Sequence, residues 1–205
     1  MSSTIQTIEN FKSLSLESVF NKKDLVIGIS GGISPNVFVD FFNEFENSRN
    51  ITYILIDERD VGEESHFSNT GELKRKLKNY KKIFSTKDIW RQDWSSIHID
   101  ILILGFGEDG HIASIFPGFR DCDLEKRKVV FKTNKPFGSP YMIRFSVSMS
   151  ELLKTKKIFV TIGSAKKESV LLKILENSDK HMPIYKLINF NNNVTLCRAY
   201  KINTD

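Results

Sequence analysis

Four short apolar runs, Leu25 to Ile29, Ile51 to Ile56, Ile99 to Leu104 and Lys157 to Ile162, limit most strongly what this chain can fold into. Each has the length of a strand and is apolar almost throughout, the pattern of strands covered on both faces. Helical patterns separate them. Val37 to Phe45 carries apolar residues at near-helical spacing, Asn69 to Leu77 is amphipathic, and Ser164 to Leu175 opens on a Ser cap and gathers Val170, Leu171, Ile174 and Leu175 on one side. Strands alternating with helices predict an α/β fold in which a mostly parallel sheet has helices on both faces. Ile8 to Phe20 reads as a further helix over that sheet, and Val194 to Tyr200 as a late strand at an edge. No repeat of fixed period suggests a solenoid or propeller.

At 205 residues the chain is long enough for a full core and short for two domains, so one domain over 1–205 is expected. Cys122 and Cys197 are far apart, without the pairing of a disulfide framework or a CxxC metal or redox site, which favours a reducing, cytoplasmic setting. The polar start Met1 to Glu9 does not resemble a signal peptide. No apolar stretch approaches the roughly 20 residues that cross a bilayer, so no membrane partner is expected. The net charge of +5 is modest. Its one concentration, Lys74, Arg75, Lys76, Lys78, Lys81 and Lys82, has only Tyr80 interleaved, so it reads as a solvated helix face and no nucleic-acid partner is expected. A mildly basic chain suits a small anionic substrate.

Ligands of open parallel sheets bind beyond the carboxyl ends of the strands, and the polar segments fall there. Gly28-Ile29-Ser30-Gly31-Gly32-Ile33-Ser34-Pro35 follows a predicted strand and leads into a helix whose first turn tolerates Pro35. Its glycines allow close backbone approach, and free amides at the helix start favour a phosphate. It is neither a Walker loop nor a GxGxxG fingerprint. Asp57-Glu58-Arg59 ends the second run; taken alone it would face solvent, while in a cleft Arg59 could neutralise an oxyanion or grip substrate, and Asn69 could hold the loop or cap the next helix. The most specific segment is Gly105-Phe106-Gly107-Glu108-Asp109-Gly110-His111, continuing through Ile112 to Gly118, with a short apolar helix expected just after the His. It places a His in a glycine-rich loop, two residues from an Asp that can orient its ring. Free imidazole titrates at about pH 6.5, which suits a general base. Arg144, within Tyr141 to Ser146, and Lys166, in Gly163-Ser164-Ala165-Lys166, each add one cation near a strand end; Arg suits forked bonding to phosphate and Lys a mobile point charge.

In this order the segments resemble the 6-phosphogluconolactonase and glucosamine-6-phosphate isomerase family, from Leu25 to about Lys167, most sharply at Asp109 to Ser114 with Phe116-Pro117-Gly118. The resemblance implies a modified Rossmann-like fold and a phosphate held by Gly31, Gly32, Ser34, Arg144 and Lys166, with Asn69 on the substrate side. The amino-sugar isomerases carry a Glu five residues after the His, where this chain has Phe116, so the lactonase branch is the closer likeness. It implies hydrolysis of 6-phospho-D-glucono-1,5-lactone to 6-phosphogluconate in the pentose phosphate pathway, by a monomer or small homo-oligomer, without metal or cofactor. His111 would be the base, Asp109 its orienter, Arg59 an oxyanion partner and Asp57 an organiser of the cleft. One departure is Gly31-Gly32-Ile33-Ser34-Pro35 against the family's Gly-Gly-Ser-Thr-Pro, which shifts phosphate binding toward backbone amides. The alternatives are the deaminating isomerase and a non-catalytic sugar-phosphate sensor.

Overall fold

A computed structural model of the chain describes residues 5–7, 24–44, 50–118, 129–134 and 143–200, with the side chains of Ile33, Ser34 and Asn134 outside that set. The expected helix from Ile8 to Phe20, Cys122 and Tyr141 also lie outside the described residues. The strands are β1 (Ile5–Thr7), β2 (Leu25–Ile29), β3 (Ile51–Leu55), β4 (Asp57–Arg59), β5 (Lys82–Phe84), β6 (Ile101–Gly105), β7 (Val130–Asn134), β8 (Ile143–Val147), β9 (Ile158–Ile162) and β10 (Val194–Arg198). The helices are α1 (Ile33–Glu44), α2 (Asn69–Lys76), α3 (Thr86–Gln92), α4 (Met149–Leu152), α5 (Ala165–Glu176) and α6 (Pro183–Phe190).

Seven strands form one parallel sheet in the order β1-β10-β9-β6-β2-β3-β5. The pattern within each run explains why both faces are covered. Along β6, Ile101 and Ile103 enter one apolar cluster with Phe38, Phe42 and Phe159, while Leu102 and Leu104 enter the other with Leu171, Ile184 and Leu187. Helix α1 therefore covers one face, and α5 and α6 the other. Each fully buried Ile or Leu is worth roughly 1.5 to 3 kcal/mol, so these short runs are the main source of stability.

The sheets depart from the sequence reading in places that matter for the site. The Val194 strand is not an edge: β10 pairs with β9 on one side and β1 on the other. A second, three-stranded antiparallel sheet, β4-β8-β7, packs against the larger one. It contains Asp57, Glu58 and Arg59, so the triplet that would face solvent when taken alone is instead strand, with Glu58 0% exposed.

The chain leaves β2 toward β3 on one side and β6 toward β9 on the other, so the sheet changes direction between β2 and β6. A crevice forms where the loops after these two strands diverge. They are stitched together at that point: Ser30 N–H donates to Ile103 O at 3.0 Å, and Gly105 N–H to Ser30 Oγ at 3.0 Å.

Candidate active site

A cleft of about 200 Å³ opens at this switch point, lined by Ser30, Gly31, Gly32, Asp57, Arg59, Phe106, Gly107, His111, Arg144 and Lys167, among others. A larger cavity, about 570 Å³, lies at the opposite ends of β6, β9 and β10. Its acids are already engaged, Glu151 with Lys154 and Asp100 with Val26 N–H and His98. The cleft differs in bringing three cations, Arg59, Arg144 and Lys167, together with His111.

His111 is positioned by its own loop. Gly107 N–H donates to His111 O at 2.9 Å and Gly110 N–H to Gly107 O at 2.9 Å, closing a tight turn. A Cβ at Gly107 would stand 2.1 Å from His111 Nδ1, so only glycine lets the ring fold over this turn. Asp109 Oδ1 lies 2.5 Å from His111 Nδ1. A carboxylate only accepts, which puts the proton on Nδ1 and leaves the Nε2 lone pair free. The same bond holds the Asp109 carboxyl below the usual carboxylate range despite partial burial. The expected helix after His111 is absent: Ala113 takes φ +50° and Ile112 and Ile115 exchange backbone hydrogen bonds, so the chain doubles back.

Facing the His loop are residues of the antiparallel sheet. Arg59 and Arg144 are directly opposed on β4 and β8, an arrangement that like charges resist unless other groups hold them. Arg59 is held, donating to Phe67 O at 2.8 Å and to Asn69 Oδ1 at 2.6 Å. Arg144 is less satisfied. Its Nε is buried without a hydrogen-bond partner, and burial, then the charge of Arg59, lowers its pKa. Asp57, buried below them, accepts from Ser114 Oγ at 3.2 Å and from Gly31 N–H at 3.4 Å, and its charge offsets part of that repulsion. A half-buried cation short of partners is a place for an anion.

Several expected residues take different roles. Asn69 does not face the cleft: buried, it donates to Asp57 O at 2.9 Å and supports Arg59 from behind. The cap of α2 is Ser68. Gly31 and Gly32 do line the cleft, but the Gly31 amide is directed at Asp57; a Cβ at Gly31 would stand 2.0 Å from Asn69 Oδ1. Ser34 falls in the first turn of α1. Lys166 is turned away, its side chain 73% exposed and paired with Glu108 at 2.7 Å. The lysine in the cleft is Lys167, which donates to Phe106 O at 2.8 Å and whose pKa burial lowers. The sequence held the signal for this. Lys167 shares the helical stripe of Leu171 and Ile174, both buried, and Lys166 lies off it. Among the described residues no three His, Cys, Asp or Glu side chains group as a metal site.

The family model described as glucosamine-6-phosphate isomerases/6-phosphogluconolactonase matches residues 85–196, just over half of the chain. The chain belongs to this family. Among curated relatives, it is 28% identical over 200 residues to the 6-phosphogluconolactonase of Helicobacter pylori, covering 88% of this chain and 86% of that protein. The 6-phosphogluconolactonase of Neisseria meningitidis is 28% identical over 192 residues, covering 82% and 81%. Among solved structures, the 6-phosphogluconolactonase of Shewanella baltica superposes with TM-score 0.77 at 22% identity, over 94% of this chain and 91% of that one. That of Leishmania guyanensis gives 0.77 at 21%, over 97% and 96%. The α/β architecture is thus the family's architecture. The matched segment includes the His111 loop, Arg144 and Lys167, and ends before the last residues of β10.

Proposed function

We propose that this chain is a lactone hydrolase that converts 6-phosphogluconolactone to 6-phosphogluconate, as the names of its curated relatives suggest. The observation that carries the reading is the convergence of one carboxylate-oriented imidazole and three cations, Arg59, Arg144 and Lys167, on one small cleft. Arg144 and Lys167 bind the phosphate, with the turn at Gly31 and Gly32 beside them. Fixing the remote phosphate places the lactone carbonyl carbon near His111, so binding energy is spent on orientation.

His111 Nε2 then takes a proton from water as the water oxygen bonds to the carbonyl carbon. The tetrahedral oxyanion forms near Arg59, whose fixed charge stabilises it. The ring C–O bond breaks as the proton on His111 passes to the departing ring oxygen, leaving a carboxylic acid and a free hydroxyl. Asp109 stabilises the transient imidazolium, and Asp57 keeps Arg144 and the β2 loop in register. The sum is addition of one water, and the chemistry fits the pentose phosphate pathway.

Phe116 disfavours the deaminating isomerase, since the ring against His111 has no proton to give or take at the position where those relatives carry a Glu. The experiment offers freshly prepared 6-phosphogluconolactone and, separately, glucosamine 6-phosphate. Acid release above the spontaneous rate with no ammonia supports the lactonase; ammonia release, or no turnover of either compound, refutes it.

A further inference from the structure

His111 and Arg144 are on different elements, yet both lie against the ring of one side chain. Because the chain doubles back at Ala113, the ring of Phe116 returns beneath His111, with ring centroids 5.0 Å apart and planes tilted by 43°. The Arg144 guanidinium carbon lies 6.0 Å from the centroid of the same ring. Phe116 itself is only 4% exposed and is held by the paired Ile112 and Ile115 turn. It is a fixed surface on which two functional groups rest.

We propose that Phe116 is a positioning residue that sets the phosphate-binding Arg144 and the general base His111 relative to one another; the proposal rests on the roles assigned above. Two physical reasons favour an aromatic ring here. The negative face of the ring attracts a guanidinium without neutralising it, so Arg144 is oriented while its charge remains available to an anion. A tilted aromatic contact fixes the imidazole plane without offering a proton acceptor, so Nε2 is left free for water. A carboxylate at this place would instead pair with Arg144 and take up the charge meant for an anion. An aliphatic side chain would fill the volume but leave both planes free to turn.

The test compares Phe116→Leu, Phe116→Tyr and the wild type by thermal unfolding, by titration with inorganic phosphate followed by NMR, and by kcat and KM on fresh 6-phosphogluconolactone. The Leu variant is expected to fold, to bind phosphate several-fold more weakly and to lose about tenfold in kcat through misplacement of the base. The Tyr variant, which retains the ring face, is expected to recover both. A Leu variant with a lowered Tm but unchanged phosphate affinity, kcat and KM would reduce Phe116 to core packing and overturn the proposal. So would a Tyr variant as impaired as the Leu one. Should Phe116→Leu not fold, Phe116→Met, which also lacks the ring plane, takes its place with the same expectations. The phosphate titration needs no turnover, so a wild type inactive on lactone would retract the reaction, while Phe116-dependent phosphate binding would still support the positioning role.

Discussion

Lys166 and Lys167 are neighbours in sequence but about 100° apart around α5, and that rotation separates a surface ion pair from a cleft cation. Lys167→Ala is therefore expected to raise KM roughly tenfold, the loss of one charge-assisted bond to phosphate. Lys166→Ala should leave KM within about twofold, since exposed pairs contribute little; the reverse pattern in steady-state kinetics would exchange their roles. Asp109→Asn tests orientation at the base. An amide can present its NH2 to Nδ1 and favour the wrong tautomer, so kcat should fall by roughly 100-fold or more with little change in KM. The site was legible in sequence where chemistry clusters locally, as in Asp109, Gly110 and His111. It was not legible where a side chain acts through a distant partner. Asn69 behind Arg59 depends on the fold between β4 and α2, and Phe116 beneath His111 on the reversal at Ala113, neither of which has a local sequence signature.

At the scale of elements, two acids, one buried and one half-buried, hold the cationic strands and helices in place. Glu58 accepts from Arg59 N–H, Asn69 N–H, Thr70 N–H and Ser68 Oγ, tying the start of α2 to β4 and so fixing the loop that carries Arg59's partners. Glu168, one residue beyond Lys167, takes two bonds from Arg198 at 2.6 and 2.7 Å and one from Tyr200 at 2.7 Å, which pins α5 to the end of β10. The bond from Arg198 holds the Glu168 carboxyl below its ordinary value. A depressed carboxylate contributes stability that is present above its unfolded pKa and is lost as pH falls through the folded one. Glu168→Gln should thus be less stable than wild type at neutral pH, with the difference shrinking in acid, as read by urea unfolding at a series of pH values; a difference independent of pH would contradict the assignment. The four central parallel strands, β2, β3, β6 and β9, were legible because each is a continuous apolar run, whereas β1 and β5, three residues each and partly polar, were not. The antiparallel sheet was not, since β4 has only three residues, all charged, and its stability comes from partners on β8 and α2.

The whole molecule is a parallel sheet whose direction changes between β2 and β6, with an antiparallel sheet added at the same end. The first supplies the His111 loop and the glycine turn; the second supplies Asp57, Arg59 and Arg144. Neither alone makes a site. Together, with Lys167 added from α5, they set three cations around an imidazole, and the few carboxylates nearby serve those groups without closing the cleft. The charge run at Lys74 to Lys82, by contrast, is spent on surface pairs, Lys74 with Glu63, Lys76 with Glu72 and Lys81 with Asp24.

The most direct test of this account is the pH dependence of acid release from fresh 6-phosphogluconolactone, corrected for spontaneous hydrolysis, in wild type and in His111→Ala. The wild type should show a rate that falls as the solution is acidified and the imidazole takes up a proton. The Ala variant should keep its fold and its phosphate affinity, lose roughly 100- to 10,000-fold in kcat, and lose that acid limb. A variant with near wild-type turnover, or one whose acid limb is unchanged, would contradict the assignment of His111 as the base.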